Sequence, residues 1–233
     1  MIKISKREVI DVVRYGDNKA IFVEKKPMLD DAGRYRVGYF VLNFDTGEKE
    51  VITKSAYLMQ KFGSNYKKIS DSLGNFVQCE AWLMPNRSVL VVYDNGQAGL
   101  FDSDGELKRD GILDHNGSPV CGIAPDGDCF WSYCRSENCV MRYFVDGIKP
   151  DIRIGGRDAG TFNRPNFVSA DDESVFVCCD YATVRVIDKG TFTVSDLGRS
   201  YGDLRRFYRF GEYGVVCTGT GTYVDKPKKS GAR

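Results

Sequence analysis

The stretch NFVSADDESVFVCCDYATVRVIDKGTFTVSDLG, residues 166–198, carries the pattern that decides the fold. It consists of an apolar strand, an acidic turn, a second apolar strand, a short polar turn, a third apolar strand, an Asp/Gly turn and an outer strand. Runs rich in Val, Ile and Phe between clusters of Asp, Gly and Thr are typical of antiparallel strands joined by tight turns. The stretch therefore predicts one four-stranded antiparallel sheet.

The same order of strands and turns recurs along the chain. The three clearest units begin at Phe76, Val120 and Asn166, which are 44 and 46 residues apart. A four-stranded repeat of roughly 40–50 residues is typical of β-propeller blades. Residues 9–53 carry the same order with a longer second loop, and residues 204–225 supply three more strands.

These repeats predict an all-β fold, a single β-propeller of five four-stranded antiparallel blades over residues 1–225. The blades are placed at 9–53, 76–113, 119–155, 165–198 and 204–225, and residues 1–8 complete the last one. A strand from the N-terminus in the last blade closes the ring without an exposed sheet edge. An array of open sheets and an irregular sandwich are the alternatives.

Two segments lie outside the blades. Residues 55–63 are the one segment with a helical pattern, and Ser55 could cap this helix. Residues 226–233 are expected to form a flexible basic tail.

Residues 153–188, RIGGRDAGTFNRPNFVSADDESVFVCCDYATVRVID, resemble an NHL-type propeller repeat. The matching positions are a glycine lead-in, an aromatic residue and a proline before the first strand, an aspartate after the second strand, and two valines in the third: Gly155, Gly156, Gly160, Phe162, Pro165, Asp180, Val184 and Val186. The match is confined to this repeat, because residues 119–152 have Cys134 in place of the aspartate and residues 76–110 lack the glycines. The resemblance implies a propeller, a fold that hosts protein binding, RNA binding and several unrelated enzymes.

The composition excludes several classes of protein. The 33 Lys and Arg residues balance 32 Asp and Glu residues, unlike the strongly basic footprint of a nucleic-acid binder. The N-terminus has no apolar signal region, and no apolar run is long enough to span a bilayer. Eight cysteines without a secretion signal are typical of reduced thiols. We expect a cytoplasmic monomer that binds neither nucleic acid nor membrane and carries no cofactor.

The segment GGRDAGTFNRPNFV, residues 155–168, has the glycines and arginines of a phosphate-binding loop. A P-loop, however, leads into a helix and carries Lys followed by Ser or Thr, whereas Pro165 here leads into a strand. The sequence favours a blade-linking loop, in which glycine supplies positive φ. In that position Arg157 and Arg164 would line the mouth of the ring.

The cysteines, the histidine and the carboxylates form no complete catalytic or metal-binding motif, so we predict no catalytic residue and no metal ligand. No Cys-x-x-Cys pair is present, and Cys134 and Cys139 flank the turn RSEN, where buried thiols, a disulfide or half a metal site are the alternatives. His115 is the only histidine and lies in the turn DHNG. The acidic turns between first and second strands are expected to be solvated tips on the face opposite the blade-linking loops: Asp126, Asp128, Asp171, Asp172 and Glu173.

The function that the sequence favours is a non-enzymatic recognition scaffold for a protein, peptide or saccharide. The ligand would bind at the mouth, which is built from the turns between second and third strands and from the blade-linking loops. The candidate binding residues are Arg157, Asp158, Arg164, Asp94, Asp180, Tyr181, His115, Arg135, Tyr201 and Arg205.

The alternative function is a carbohydrate- or lactone-directed hydrolase or lyase with carboxylates in the central cavity. A structural role within a larger assembly is a third possibility. Carboxylates such as Asp94, Asp158 and Asp180 converging in the channel would favour the enzyme, and arginines and tyrosines without paired acids would favour the scaffold.

Overall fold

A computed structural model of the chain describes residues 1–29, 35–63, 80–84, 88–92, 98–102, 104, 106–110, 116–117, 120–145 and 150–226. These residues form twenty strands and one α-helix. The strands belong to five four-stranded antiparallel sheets, which are the blades of a five-bladed β-propeller. The predicted fold class is confirmed.

The elements follow one another blade by blade. The chain begins with β1 (Ile2–Ser5), and blade 1 then comprises β2 (Val9–Arg14), β3 (Lys19–Leu29), β4 (Tyr35–Asn43) and β5 (Lys49–Val51). The helix α1 (Lys54–Phe62) precedes blade 2, which comprises β6 (Glu80–Leu83), β7 (Val89–Val92), β8 (Ala98–Phe101) and β9 (Leu107–Asp110). Blade 3 comprises β10 (Cys121–Asp126), β11 (Cys129–Cys134), β12 (Cys139–Phe144) and β13 (Ile152–Gly155). Blade 4 comprises β14 (Pro165–Ala170), β15 (Ser174–Cys179), β16 (Thr183–Asp188) and β17 (Val194–Ser200), and blade 5 comprises β18 (Leu204–Phe210), β19 (Tyr213–Thr218), β20 (Gly221–Asp225) and β1.

The ring is closed by the N-terminal strand, as the sequence predicts. β1 pairs antiparallel with β20, with Ile2 opposite Val224 and Ser5 opposite Thr222. Ile4 is 9% exposed and packs into the apolar cluster between blades 5 and 1. The fourth strand of the last blade therefore comes from the opposite end of the chain.

The second strand of each blade reads as a continuous apolar run because both of its faces are covered by neighbouring blades. In β15, Val175, Phe176, Val177 and Cys178 are all fully buried, although their side chains alternate between the two faces of the sheet. Strands covered on both faces lose the apolar–polar alternation of a half-exposed strand. This burial explains the sequence pattern from which the blades are predicted.

Apolar clusters fill the spaces between successive blades. Trp131 of blade 3 is fully buried in the cluster that contains Val175 and Val177 of blade 4. Phe176 of blade 4 packs on Phe207 of blade 5, with 5.2 Å between the ring centroids. Blades 5 and 1 meet through stacked rings, since Phe44 lies 5.1 Å from the ring of Tyr213.

The predicted helix is present, but it lies between blades 1 and 2 and forms part of their interface. Tyr57, Leu58 and Phe62 are buried in one cluster with Val41 of blade 1 and Val91 of blade 2. The helix begins earlier than the sequence indicates, because the Thr53 side chain accepts the capping hydrogen bond from the Ala56 N–H at 3.1 Å. The cap expected at Ser55 is therefore wrong, since that residue lies inside the first turn.

The glycine-rich segment links blades 3 and 4 and leads into a strand, as expected for a blade-linking loop. Gly155 has φ 85°. A Cβ atom there would lie 2.8 Å from the Asn138 carbonyl oxygen and 2.8 Å from the Phe162 ring. Glycine is needed because both the dihedral angle and the close packing exclude a side chain.

The seven cysteines of the described residues are thiols and form no disulfide among themselves. Cys134 and Cys139 lie directly opposite each other in the β11–β12 pair but form no disulfide. Burial raises the pKa of Cys217 to about 12. The five buried cysteines behave as small apolar residues of the core: Cys134, Cys139, Cys178, Cys179 and Cys217.

At the C-terminal end of the described residues, Lys226 forms an ion pair with Glu212 at 2.7 Å, and the rest of the predicted basic tail lies outside the described residues.

No helix in the described part of the chain is long and apolar enough to cross a membrane.

Ring closure predicts that deleting residues 1–5 destabilises the whole domain. We expect a loss of about 3 kcal/mol from the Ile4 side chain and the β1–β20 ladder, which lowers the melting temperature by roughly 10 °C. Differential scanning calorimetry measures this change. Two single substitutions in β1 test the packing of its buried side chain. Ile4→Ser should lower the melting temperature, whereas Ile2→Ser should leave it nearly unchanged because Ile2 is 74% exposed. An unchanged melting temperature on deletion contradicts closure by β1.

The position of α1 predicts that Phe62→Ala lowers the free energy of unfolding by about 3–5 kcal/mol, because the substitution opens a cavity between two blades. Met59→Ala on the same helix is the control, since Met59 is 47% exposed and should change stability by less than about 0.5 kcal/mol. Urea denaturation of both variants gives the comparison. Equal effects would show that α1 is not part of the blade 1–blade 2 interface.

Candidate functional site

The strand order divides the loops between the two faces of the ring. Turns between second and third strands lie on the same face as the linkers between blades, because successive turns of an antiparallel sheet alternate between its ends. On this face blades 3 and 4 contribute the turns 135–138 and 180–182, and the linkers 156–164 and 201–203 lie beside them. We call Arg135, Arg164, Asp180, Tyr181 and Arg205 the mouth surface.

Tyr181 is the centre of the mouth surface. Its ring is half-buried, and the guanidinium carbons of Arg135 and Arg205 lie 5.4 and 5.2 Å from the ring centroid. Both distances are within the range of a cation–π interaction. Arg135 belongs to blade 3, Tyr181 to blade 4 and Arg205 to blade 5, so three blades build one contact group.

Several arginines on this face also form ion pairs with carboxylates. Arg205 lies 2.9 Å from Asp203, and Arg164 lies 3.8 Å from Asp180. These side chains are 45–60% exposed, and ion pairs exposed to this degree contribute little to stability. Their charges therefore remain accessible to a ligand.

The backbone of this face is held in unusual conformations. Six non-glycine residues of the described chain have positive φ, and five of them lie here: Asn138, Arg164, Asp180, Tyr181 and Asp203. The left-handed region is unfavourable for side chains that carry a Cβ, and such residues cluster at ligand-binding sites. The surrounding contacts must therefore hold the chain in place.

Hydrogen bonds between neighbouring blades and loops supply that support. The Arg164 N–H donates to the Asn138 side-chain oxygen at 2.9 Å, across the boundary between blades 3 and 4. The Leu204 N–H donates to the Tyr181 carbonyl oxygen at 2.6 Å, across the boundary between blades 4 and 5. The Asp180 N–H in turn donates to the Arg164 carbonyl oxygen at 3.4 Å, so the Tyr181 turn is held by the linker from blade 3 and by blade 5.

Most of the predicted binding residues in the described part of the chain lie on this face. Arg135, Arg164, Asp180, Tyr181 and Arg205 form the connected group described above. Arg157 lies at its edge, where it pairs with Glu137 at 3.1 Å. Asp158 is exposed on the same linker and has no ion-pair partner among the residues that the structure describes. Asp94 and His115 lie outside the described residues.

Tyr201 departs from the expectation. Its position in a linker indicates the mouth, but its side chain is only 5% exposed and packs with Leu204 and Phe207 between blades 4 and 5. The linker is short, so the tyrosine ring lies against the apolar cluster. Tyr201 therefore contributes to packing and offers no exposed ring.

The acidic turns on the opposite face have a structural role at one position. Asp126 accepts a hydrogen bond from the Trp131 indole N–H at 2.9 Å and one from the Lys189 ammonium at 2.5 Å. Lys189 also donates to the Asp171 carbonyl oxygen at 2.5 Å. Asp126, which was expected to be a solvated tip, instead joins blade 3 to blade 4.

A half-buried ionic group on the inner strand of blade 1 was not predicted. Asp11 of β2 is 21% exposed and accepts hydrogen bonds from Lys61 at 2.5 Å and from the Tyr57 hydroxyl at 2.6 Å. Both partners belong to α1, so this group fixes the helix against the inner strand. The one signal in the sequence is the aspartate itself, which interrupts the apolar run VIDVV.

The electrostatics of this group favour the ionised carboxylate. Burial alone raises the pKa of Asp11. Three effects outweigh burial and lower the pKa below its ordinary value: the charge and hydrogen bond of Lys61, the hydrogen bond from the Tyr57 hydroxyl, and the charge of Arg206. Burial and the Asp11 charge together raise the pKa of Tyr57 well above its ordinary value, so this hydroxyl stays protonated and donates.

No group of three or more His, Cys, Asp or Glu side chains arranged to hold a metal ion is found among the described residues.

The similarities to known proteins concern the fold alone. No protein-family model matches the chain, and no curated protein matches its sequence. The WD40 domain of Neurospora crassa Pan2 is 12% identical, with 94% of this chain and 64% of that chain covered and a TM-score of 0.47. Virginiamycin B lyase from Staphylococcus aureus is 13% identical, with 96% and 72% covered and a TM-score of 0.44. The computationally designed Ika8 protein is 13% identical, with 93% and 57% covered and a TM-score of 0.48. The propeller assignment rests on the five four-stranded sheets of the chain itself, and the NHL type of the repeat at 153–188 stays a prediction.

The Asp11 group predicts a pH-dependent stability. Because the folded-state pKa of Asp11 is lowered, its carboxylate stabilises the fold above the unfolded-state pKa, and this contribution is lost as the pH falls through the folded-state pKa. We expect Asp11→Asn to lower the free energy of unfolding by about 3 kcal/mol at neutral pH, because the substitution removes the ion pair of Asp11 with Lys61. The difference from the unsubstituted protein should shrink as the pH falls below about 4.

Urea denaturation at several pH values measures this difference. Asp172→Asn is the control, since Asp172 is exposed at the β14–β15 turn and its substitution should leave stability nearly unchanged. A difference between Asp11→Asn and the unsubstituted protein that is the same at neutral and acidic pH is incompatible with the proposed ionisation.

Proposed function

We propose that this propeller is a non-enzymatic recognition scaffold that binds a protein or peptide segment at the mouth surface. The observation that carries the proposal is the convergence of Arg135, Tyr181 and Arg205 from three blades around one accessible aromatic ring. Tyrosine and arginine are among the side chains most enriched at the energetic centres of protein interfaces.

The chemistry of the mouth surface suits a peptide that carries both hydrogen-bond donors and hydrogen-bond acceptors. Tyr181 offers an aromatic ring and a hydroxyl, and Arg135 and Arg205 offer guanidinium donors for peptide carbonyl or carboxylate oxygens. Asp180 and Asp203 supply acceptors close by. The alternation of charges favours a ligand with both donors and acceptors over a polyanion.

The rigidity of the site supports binding. Ordering flexible loops on association costs about 0.5–1.5 kcal/mol for each immobilised side chain. At this site the turn that carries Tyr181 is already held by hydrogen bonds and by two neighbouring arginines. A ligand therefore meets a preorganised surface.

The carbohydrate- or lactone-directed enzyme has less support. A hydrolase that uses two carboxylates needs them to face one pocket. On the described part of this face, Asp180, Asp203 and Glu137 each face an arginine instead. This arrangement favours binding over acid–base catalysis.

The proposal is tested with short random peptides displayed on phage and selected on the unsubstituted protein. For the selected peptides, we expect Tyr181→Ala to raise the Kd at least about 30-fold and Arg135→Ala or Arg205→Ala to raise it about tenfold. Isothermal titration calorimetry with synthetic peptides gives the values, and circular dichroism establishes that each variant is folded.

Tyr15→Ala is the matched control, because Tyr15 is a 43% exposed tyrosine on the opposite face of the ring. It should leave the peptide Kd unchanged. Selection of no peptide with micromolar affinity, or selected peptides that bind Tyr181→Ala as tightly as the unsubstituted protein, would overturn the proposal.

A further inference from the structure

A second candidate site lies on the face of the ring opposite the mouth surface. An open cleft of about 510 Å³ is formed at blade 1 by the β2–β3 turn, the end of β4 with the turn after it, and Gln60 in the last turn of α1. Cavities of roughly 300–1,000 Å³ are the size of small-molecule sites. The cleft shares no residue with the mouth surface and does not depend on the function proposed there.

One part of the cleft lining is held in place by hydrogen bonds. Asp45 accepts from the Asn18 side-chain amide at 2.7 Å and from the hydroxyl of Tyr213. The Asn43 side-chain oxygen accepts from the backbone N–H groups of Asp45 at 2.9 Å and Thr46 at 3.3 Å. These bonds join the two turns of blade 1 to blade 5 and make the lining rigid.

Gln60 brings the helix into the same lining. Its amide nitrogen donates to the Arg14 carbonyl oxygen at 3.0 Å, which orients the side chain and leaves its oxygen as an acceptor. The cleft therefore depends on the insertion of α1 between blades 1 and 2.

The other part of the lining consists of groups that are available to a ligand. Tyr15 is 43% exposed, and the side chains of Tyr15, Asp17 and Lys19 have no hydrogen-bond or ion-pair partner among the residues that the structure describes. The cleft thus presents an aromatic ring, a carboxylate acceptor and an ammonium donor beside the oriented amide groups of Asn43 and Gln60.

The composition of the lining restricts the class of ligand. Among the described lining residues, two carboxylates, Asp17 and Asp45, outweigh the single ammonium of Lys19, so a phosphate or another anion is disfavoured. Tyr15 is the only aromatic side chain of that described lining, and an apolar ligand would leave the polar groups without partners. The ligand must be polar, not anionic, and rich in groups that both donate and accept.

We infer that this cleft binds a neutral saccharide of one or two rings. Each sugar hydroxyl both donates and accepts, and so matches the mixed carboxylate, amide and ammonium groups of Asp17, Asn43, Gln60 and Lys19. The C–H face of a pyranose ring packs on an aromatic side chain, which Tyr15 provides at the rim. A rigid lining reduces the ordering that binding requires.

The test uses D-glucose, D-galactose, N-acetylglucosamine and lactose with the full chain. We expect saturable binding of at least one of them with a Kd of about 1 mM, measured by saturation-transfer NMR and isothermal titration calorimetry at sugar concentrations up to about 50 mM. Tyr15→Ala and Asp17→Asn should each weaken that binding at least about tenfold. Both side chains are at the surface, so neither variant should lower the melting temperature.

Two controls define the site and the ligand class. Tyr181→Ala, on the opposite face, should bind the sugar with an unchanged Kd. D-glucuronate, a hexose that carries a carboxylate, should bind at least about tenfold more weakly than the tightest-binding of the four neutral sugars, because of repulsion by the carboxylates of the cleft. Absence of saturable binding of all four sugars, an unchanged Kd in Tyr15→Ala, or glucuronate binding as tightly as that neutral sugar would each overturn the inference.

Discussion

The fold depends on the burial of both faces of every blade. The middle strands carry apolar side chains on both sides, as in β15, where Val175, Phe176 and Val177 are fully buried. A sheet of this kind leaves a large apolar face in water unless a neighbour covers each side. A ring satisfies this requirement for all the blades at once, provided that its ends meet. The pairing of β1 with β20 and the packing of Phe44 on Tyr213 meet that condition, and α1 supplies apolar side chains where blade 1 faces blade 2.

The mouth surface is a consequence of the same packing. Because the blades lie face to face, turns that are distant in the sequence come within reach of one another. Tyr181 can then contact arginines from the blades on both sides, and its backbone can be held in a left-handed conformation by a bond to the next blade. Strain of this kind persists only where surrounding contacts fix the chain. The rigidity of the ring and the chemistry of its mouth therefore have one physical origin.

The two faces of the ring differ in chemistry in ways that suit different ligands. The mouth surface combines arginines with an aromatic ring and exposed ion pairs, whereas the cleft at blade 1 combines carboxylates and oriented amides with Tyr15. The inner strands that separate the two faces are tied together by bonds such as that from the Ser169 hydroxyl to the Phe207 carbonyl oxygen at 2.6 Å. Sites on opposite ends of so rigid a frame are expected to act independently.

The sequence by itself determined the repeat, the strand order and the face on which each turn lies, because these depend on local turn chemistry and on the alternation of turns in an antiparallel sheet. It could therefore place Arg135, Arg164, Asp180, Tyr181 and Arg205 together at the mouth. Tertiary structure alone decided which side chains are accessible and which distant groups meet. Tyr201 is buried although its linker lies at the mouth, Asp11 binds Lys61 fifty residues away, and Gln60 completes a cleft with the β2–β3 turn. These outcomes depend on how α1 and the blades pack, and that packing cannot be derived from a local pattern of residues.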